Sequence, residues 1–427
     1  MTMRLALAAL AALCVAQSFD SGLAALAQDG DAKVLPTIPK SEYAERRAAL
    51  LEKLGGDGVV VIAAEKLLPG MSGIDANTPK FDYTYLAGYH AEGDLLVIVS
   101  GEKEPFIFTN ERVEKVKGLS GVERVLPRAK WDAFLKDVLP GAKTVFTRVR
   151  AAAKTQIEEA APDAAINPKG KTPAGQLTRL RMVKSKTEIE MMKKAADATN
   201  KAHIAAMKAC RSGLNEGELQ KVIEDTFKKE GCDGLGFPSI VGSGKNGTIL
   251  HYMENSKDIP EGTLVVCDIG ASHQGYVTDI TRTLPTDGKY SDDQKAAYQC
   301  VLDAQKAAEK ILKPGVNFGE LEAAAQAVFA ERKLTKWSYA HARDFSVRHG
   351  LGHFVGLSVH DSGVYQQGLP EGAVITIEPG WYDKDKAYGI RIEDIYLVTK
   401  DGFERWSAGA PREVEEIEKI MAEARRK

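Results

Sequence analysis

The sequence predicts an α+β fold, in which long helices of the C-terminal half are interleaved with β-hairpins. Three helices are expected to open with a capping box, where a Ser or Asn and the acid or amide three residues later satisfy each other's backbone N–H groups. These boxes begin at Ser185, Ser291 and Asn317. The apolar run and turn residues between Gly262 and Leu284 predict an antiparallel hairpin.

The N-terminal half has a different pattern, in which short apolar strands alternate with helical stretches and predict an α/β domain. The strands are expected at 59–63, 95–100, 105–109 and 144–147, with a helix near 130–138. A boundary is expected at Gly170 to Pro173, which gives an N-terminal cap domain of residues 28–172 and a C-terminal domain of residues 173–427. The Tyr-rich run Phe81 to His90 is expected to serve mainly in core packing.

The composition excludes several classes of function. The chain has 427 residues, of which 44% are hydrophobic and 27% charged, and these values are ordinary for a globular protein. A net charge of −2, with Lys and Arg spread along the chain, provides no field for nucleic acid. No apolar run beyond the N-terminus approaches the length of a membrane span.

The first 27 residues are predicted to be a cleaved secretory signal, so the protein is expected to be exported to the periplasm. Arg4 precedes a short apolar core, and Ala25 to Ala27 provides a small-residue cleavage site before Gln28. A second candidate cleavage site follows Ala16. The four cysteines that remain match no zinc or redox spacing and are expected to be buried free thiols.

The hairpin carries two acids, Asp268 and Asp279, at equal distances from the centre of its predicted turn. A regular hairpin would place them directly opposite each other, with Cβ atoms about 4.5 to 5.5 Å apart. Two carboxylates at that distance repel unless a cation or a proton lies between them. The alternatives are that the register slips or that both acids are solvated.

Three further stretches bring more candidate ligands. Three of the eight histidines, His349, His353 and His360, fall within a Gly-rich run of twelve residues. The strand before Glu378 delivers a carboxylate at its end. Period-two alternation puts Arg391 and Glu393 on one face of another strand.

Four carboxylates and one imidazole suit a pair of divalent ions such as Mn, Co or Zn, between which a water would be activated. A neighbouring carboxylate could move protons, and neutral histidines could donate to the oxyanion. The residues therefore indicate metal-assisted hydrolysis.

These motifs resemble the pita-bread metallopeptidases, the group of aminopeptidase P, prolidase, methionine aminopeptidase and creatinase. The resemblance covers about residues 175 to 410 and rests on DIG, TDITRT, HGLGH with VHD, IEPG and RIED, in that order. It implies a pita-bread catalytic domain preceded by an α/β creatinase-type cap, and a homodimer is common in the family.

The resemblance also implies roles for individual residues. The implied metal ligands are Asp268, Asp279, His353, Glu378 and Glu393, and the second and last of these would bridge the ions. Glu378 resembles the proposed proton shuttle, and Arg391 resembles an arginine that steadies the cluster. The remaining histidines, His251, His349 and His360, match substrate-side positions.

Within the family, the cap and the GSGKNGTILHY stretch fit the Xaa-Pro branch, which hydrolyses the bond between an N-terminal residue and a following proline. Aminopeptidase P and Xaa-Pro dipeptidase both remain open. The run HGLGHF resembles prolidases, but Ser362 to Gly372 lacks the basic residue that many prolidases carry there. The alternatives are a pita-bread protein that binds peptides without cleaving them, and a creatinase-like amidinohydrolase.

Overall fold

A computed structural model describes residues 33–34, 38–68, 75, 77–334 and 350–426. The predicted signal peptide and His349 therefore lie outside the described residues.

The N-terminal part is built on a mixed six-stranded sheet. Its strands and helices are β1 (Lys33–Val34), α1 (Lys40–Leu54), β2 (Val59–Ala63), α2 (Phe81–Ala87), β3 (Tyr89–His90), β4 (Leu95–Val99), β5 (Phe106–Thr109), α3 (Val113–Ser120), β6 (Arg124–Pro127), α4 (Trp131–Val138), β7 (Thr144–Arg148), α5 (Ala151–Ala160) and β8 (Ala165–Ile166). The strand order is β6-β5-β4-β2-β7-β8, and β1 pairs separately with β3. Short strands alternate with helices, as the sequence predicted, and the sheet contains both parallel and antiparallel pairs.

The C-terminal part has long helices around short antiparallel sheets. Its elements are α6 (Pro173–Met182), α7 (Lys186–Ala209), α8 (Glu216–Lys229), β9 (Gly234–Leu235), β10 (Ile240–Ser243), β11 (Leu264–Ile269), β12 (Ala271–His273), β13 (Tyr276–Val277), β14 (Ile280–Pro285), α9 (Asp292–Ile311), α10 (Phe318–Glu331), β15 (Val374–Ile377), β16 (Gly380–Asp383), β17 (Tyr388–Arg391), β18 (Asp394–Thr399), β19 (Gly402–Arg405) and α11 (Val414–Arg425). All three predicted capping boxes are present, at α7, α9 and α10. Among the described residues, none of the helices is both long and apolar enough to cross a membrane.

Two features of the cores follow the sequence. The tyrosines of the predicted Tyr-rich run, Tyr83, Tyr85 and Tyr89, are buried in an apolar cluster that continues into the C-terminal part through Tyr276 and Trp406. This cluster is therefore shared by the two halves of the chain, and each half also has an apolar cluster of its own. The four cysteines in the described part of the chain are free thiols, and Cys232 is the one that is only partly buried.

The predicted hairpin exists, but the predicted pairing of its acids is wrong. Its tip is a two-residue turn in which Gln274 and Gly275 both have positive φ, so the centre lies one residue later than predicted. Asp268 therefore pairs with Thr281, and Asp279 stands diagonally across from it, in the break before β14.

That break depends on a close backbone approach at Gly270. A Cβ atom there would come within 2.0 Å of the carbonyl oxygen of Thr278. The hairpin therefore brings the two acids together through an interrupted ladder and not through a regular one.

Candidate metal centre

Five polar side chains converge where the C-terminal sheets meet, and each is at most 8% exposed. They are Asp268 in β11, Asp279 just before β14, His353, Glu378 just after β15, and Glu393 between β17 and β18. A single bridge between Thr281 and Glu393 joins the sheets at this point.

His353 lies at the centre of the acids. Its Nε2 atom is 3.3 Å from Glu378 Oε1, 3.5 Å from Asp279 Oδ2 and 3.9 Å from Glu393 Oε1. The candidate ligand atoms of His353, Asp279 and Glu393 all lie within 4.8 Å of one another. This spacing is compatible with a shared cation.

The Gly-rich run before His353 allows it to pack against β15. The carbonyl oxygen of His353 accepts a hydrogen bond from the N–H of Thr376, and its own N–H donates to the hydroxyl of Thr376. At Gly352 a Cβ atom would come within 2.0 Å of the carbonyl oxygen of Thr376. The glycine therefore places the histidine ring among the acids.

Three of these buried acids are only partly satisfied by hydrogen bonds from the described residues. Asp268 Oδ1, Asp279 Oδ1 and Glu393 Oε1 are buried, and the described residues supply no hydrogen-bond donor to them. Burial, followed by the charge of Asp268, raises the pKa of Glu393 to about 8. Burial and the charge of Glu393 raise the pKa of Asp279 and of Glu378 well above their ordinary values. Unpaired oxygens and crowded negative charge fit a site for divalent cations.

Arg391 neutralises one edge of this cluster. Its guanidinium donates to Asp268 Oδ2 at 2.7 Å and to the hydroxyl of Tyr382 at 2.8 Å. Its Nε–H reaches the hydroxyl of Thr281, which in turn donates to Glu393 Oε2 at 2.7 Å. The arginine therefore orients one acid directly and another through a threonine.

Two more predicted histidines line one side of the centre. The ring centroid of His360 is 4.5 Å from that of His353 and 6.5 Å from that of His251. Burial lowers the pKa of His251, which favours its neutral ring. The Nδ1 atom of His360 lies 2.8 Å from a carboxylate oxygen of Asp75.

Comparison with known proteins decides the family. Residues 190–400 match the model of metallopeptidase family M24. This chain belongs to metallopeptidase family M24. The predicted pita-bread metallopeptidase and its α+β fold are thereby confirmed, and membership of M24 implies divalent metal ions.

Relatives of this M24 peptidase match either nearly its full length or about half of it. The Xaa-Pro aminopeptidase of Escherichia coli is 29% identical over 91% of this chain and 99% of its own. An Xaa-Pro dipeptidase from Pyrococcus horikoshii is 39% identical over 53% of this chain and 62% of its own. Among solved structures, Pseudomonas aeruginosa aminopeptidase PepP aligns with a TM-score of 0.79 at 28% identity, covering 91% of this chain and 99% of that one.

The sequence motifs of the M24 peptidase did not identify every polar residue around the centre. Asp75 was missed because no motif in the sequence includes it and it lies 285 positions from the histidine it contacts. Thr281 lies inside the TDITRT motif, where its alternation with Asp279 could have indicated a shared face. Tyr382 had no signal beyond its place on a strand that follows Glu378.

Proposed function

We propose that this M24 peptidase is a dinuclear Xaa-Pro aminopeptidase, which removes the N-terminal residue from peptides with proline at the second position. The observation that carries the proposal is the cluster of four buried acids and one histidine, in which Asp268, Asp279 and Glu393 each have one buried oxygen that receives no hydrogen bond from the described residues. The match to aminopeptidases along nearly the whole chain favours this branch.

Two Mn, Zn or Co ions would be held by five side chains, with two of the acids shared between them. These are Asp268, Asp279, His353, Glu378 and Glu393, and the shared acids are the second and the last. Such ions activate a water for attack and polarise the scissile carbonyl.

The protein's own groups would then handle protons and the substrate. Glu378, just after β15 and 3.3 Å from His353, would accept a proton from the attacking water and return it to the leaving proline nitrogen. His251 and His360 lie beside each other next to His353, where their ring N–H groups can donate to the developing oxyanion. Arg391 holds Asp268 and, through Thr281, Glu393 in place.

The substrate test compares Xaa-Pro-Yaa tripeptides with Xaa-Pro dipeptides. An aminopeptidase cleaves the tripeptide and releases its first residue, because its site does not need the carboxylate of the proline. Xaa-Pro dipeptidase activity is the second candidate, favoured by the Pyrococcus relative. Cleavage of the dipeptide alone would establish it and would contradict our proposal.

We also propose that the chain is exported to the periplasm after cleavage at Ala27. In the mature protein, residues 28–172 would form a separate cap domain, and two chains would form a homodimer. The apolar N-terminal run supports export, and the α/β elements before α6 support the cap. N-terminal sequencing of the protein from a periplasmic extract should read from Gln28, and light scattering should give the mass of two chains. A retained Met1 in the cytoplasm would contradict export.

A further inference from the structure

A buried ionic cluster lies where α6 meets both the N-terminal part and the loop that carries His360. At its centre is Arg181, which is 1% exposed. One guanidinium nitrogen donates to the carboxylate of Asp82 at 2.8 Å and to the carbonyl oxygen of Thr78 at 2.7 Å. The other donates to the carboxylate of Asp361, the neighbour of His360 in the chain.

Thr78 connects the N-terminal part to the same segment around His360. Its hydroxyl lies 2.8 Å from the carbonyl oxygen of His360 and 2.8 Å from the hydroxyl of Ser358. Two contacts therefore hold the backbone at His360: Thr78 binds the carbonyl oxygen of His360, and Arg181 binds the neighbouring Asp361. Arg181 also binds the carbonyl oxygen of Thr78.

The cluster contains three cations and two acids and is tightly packed. Arg148 also contacts Asp82, and the ammonium of Lys184 lies 3.4 Å from Asp361. At Gly356 a Cβ atom would come within 2.0 Å of the Asp361 carboxylate. Buried ion pairs contribute little net stability compared with apolar packing, but they fix geometry, and the planar fork of arginine does so in three directions at once.

We propose that Arg181 is a positioning residue for His360, which locks residues 358–361 against residues 78–82 so that the imidazole stays beside the metal centre. The docking of the N-terminal part thereby becomes a requirement for catalysis. This inference rests on the role of His360 in the proposed function.

The test is a double-mutant cycle between Arg181→Met and His360→Ala, with an Xaa-Pro-Yaa tripeptide as substrate. With His360 present, Arg181→Met should lower kcat about tenfold to a hundredfold, with metal content unchanged. In the His360→Ala protein, Arg181→Met should lower kcat less than about threefold, because the imidazole that Arg181 positions is gone. Equal losses in both backgrounds would overturn the proposal, since a purely structural role is additive.

Two more variants keep the test decisive. Arg179→Met changes an exposed arginine of the same helix that contacts Gln367, and it should leave kcat at the wild-type value. If Arg181→Met does not fold, Thr78→Val removes the hydroxyl bonds to Ser358 and His360 with little change of shape, and its effect should vanish in the same way without His360. If Thr78→Val lowers kcat as much in the His360→Ala protein as it does with His360 present, the proposal is overturned.

The outcomes separate the two claims. If the wild-type enzyme cleaves no Xaa-Pro bond, or if His360→Ala keeps full activity, the proposed function or its assignment of His360 fails. If both hold and the cycle is additive, the inference about Arg181 alone fails.

Discussion

At the scale of single residues, the centre is set by three buried carboxylates that each have one oxygen without a donor among the described residues. The described residues give Asp268, Asp279 and Glu393 one unsatisfied buried oxygen each, while the second oxygens of Asp268 and Glu393 are held by Arg391 and Thr281. One oxygen of each of these two carboxylates is therefore fixed, and the other oxygen points to where a cation would bind.

A substitution of Glu393 gives the most specific test of the metal ligands at this scale. Glu393→Gln keeps the shape but removes the charge, so we expect at least about a hundredfold loss of activity and a fall in bound metal below two ions per chain. Activity assays and elemental analysis measure both effects. Glu404→Gln changes an exposed acid that pairs with Lys193 and should alter neither. Full activity with full metal content in Glu393→Gln would contradict its role as a ligand.

The raised pKa values predict how the stability of the metal-free protein depends on pH. Burial raises the pKa of Glu393 to about 8, so folded metal-free protein binds more protons than the unfolded chain near neutral pH. Its stability should therefore fall as the pH rises from 4.5, the ordinary pKa of this acid, to about 8. Burial lowers the pKa of His203 from 6.5 to about 3, which gives the opposite dependence below pH 6.5, so the fall should be clearest between pH 6.5 and about 8.

Thermal unfolding with a chelator, across that pH range, measures the effect. Metal-loaded protein should show a weaker dependence on pH, since bound cations replace the protons, and Glu393→Gln should reduce the dependence of the metal-free form. A chelated protein that gains stability with rising pH would contradict the assignment.

At the scale of elements, the sequence predicted the strands and helices well where their signals are local. The capping boxes of α7, α9 and α10 and the strand positions of the N-terminal sheet all depend on neighbouring residues. The register of the hairpin was missed because it depends on a positive φ at Gln274, a conformation that few residues other than glycine adopt.

Gly270 tests the role of the interrupted hairpin. Gly270→Ala would push a methyl group into the carbonyl of Thr278, and we expect it to cost about 3 kcal/mol in the free energy of unfolding and to lower metal affinity. Gly118→Ala, in α3, meets no atom within 4 Å and should be neutral or slightly stabilising. Chemical denaturation and metal titration measure both, and an unchanged Gly270→Ala protein would show that the close approach is not needed.

At the scale of the whole molecule, the candidate ligands could be predicted because each lies within a short motif at a strand end. Contacts between distant parts of the chain could not be predicted in this way. Asp75 meets His360 across 285 positions, and Arg181 meets Asp361 across 180. The packing of the N-terminal part on the C-terminal part brings the first pair together, and the packing of α6 on the loop that carries His360 brings the second pair together. No local pattern in the sequence indicates either contact.

The most direct test of the account is a metal titration of the chelated, full-length enzyme, followed by hydrolysis of an Xaa-Pro-Yaa tripeptide. We expect no activity without metal, and recovery that saturates at about two equivalents of Mn, Zn or Co per chain. Full hydrolysis by metal-free protein would contradict a dinuclear centre built by these five side chains. Metal binding that saturates in the same way in the Glu393→Gln protein would also contradict it.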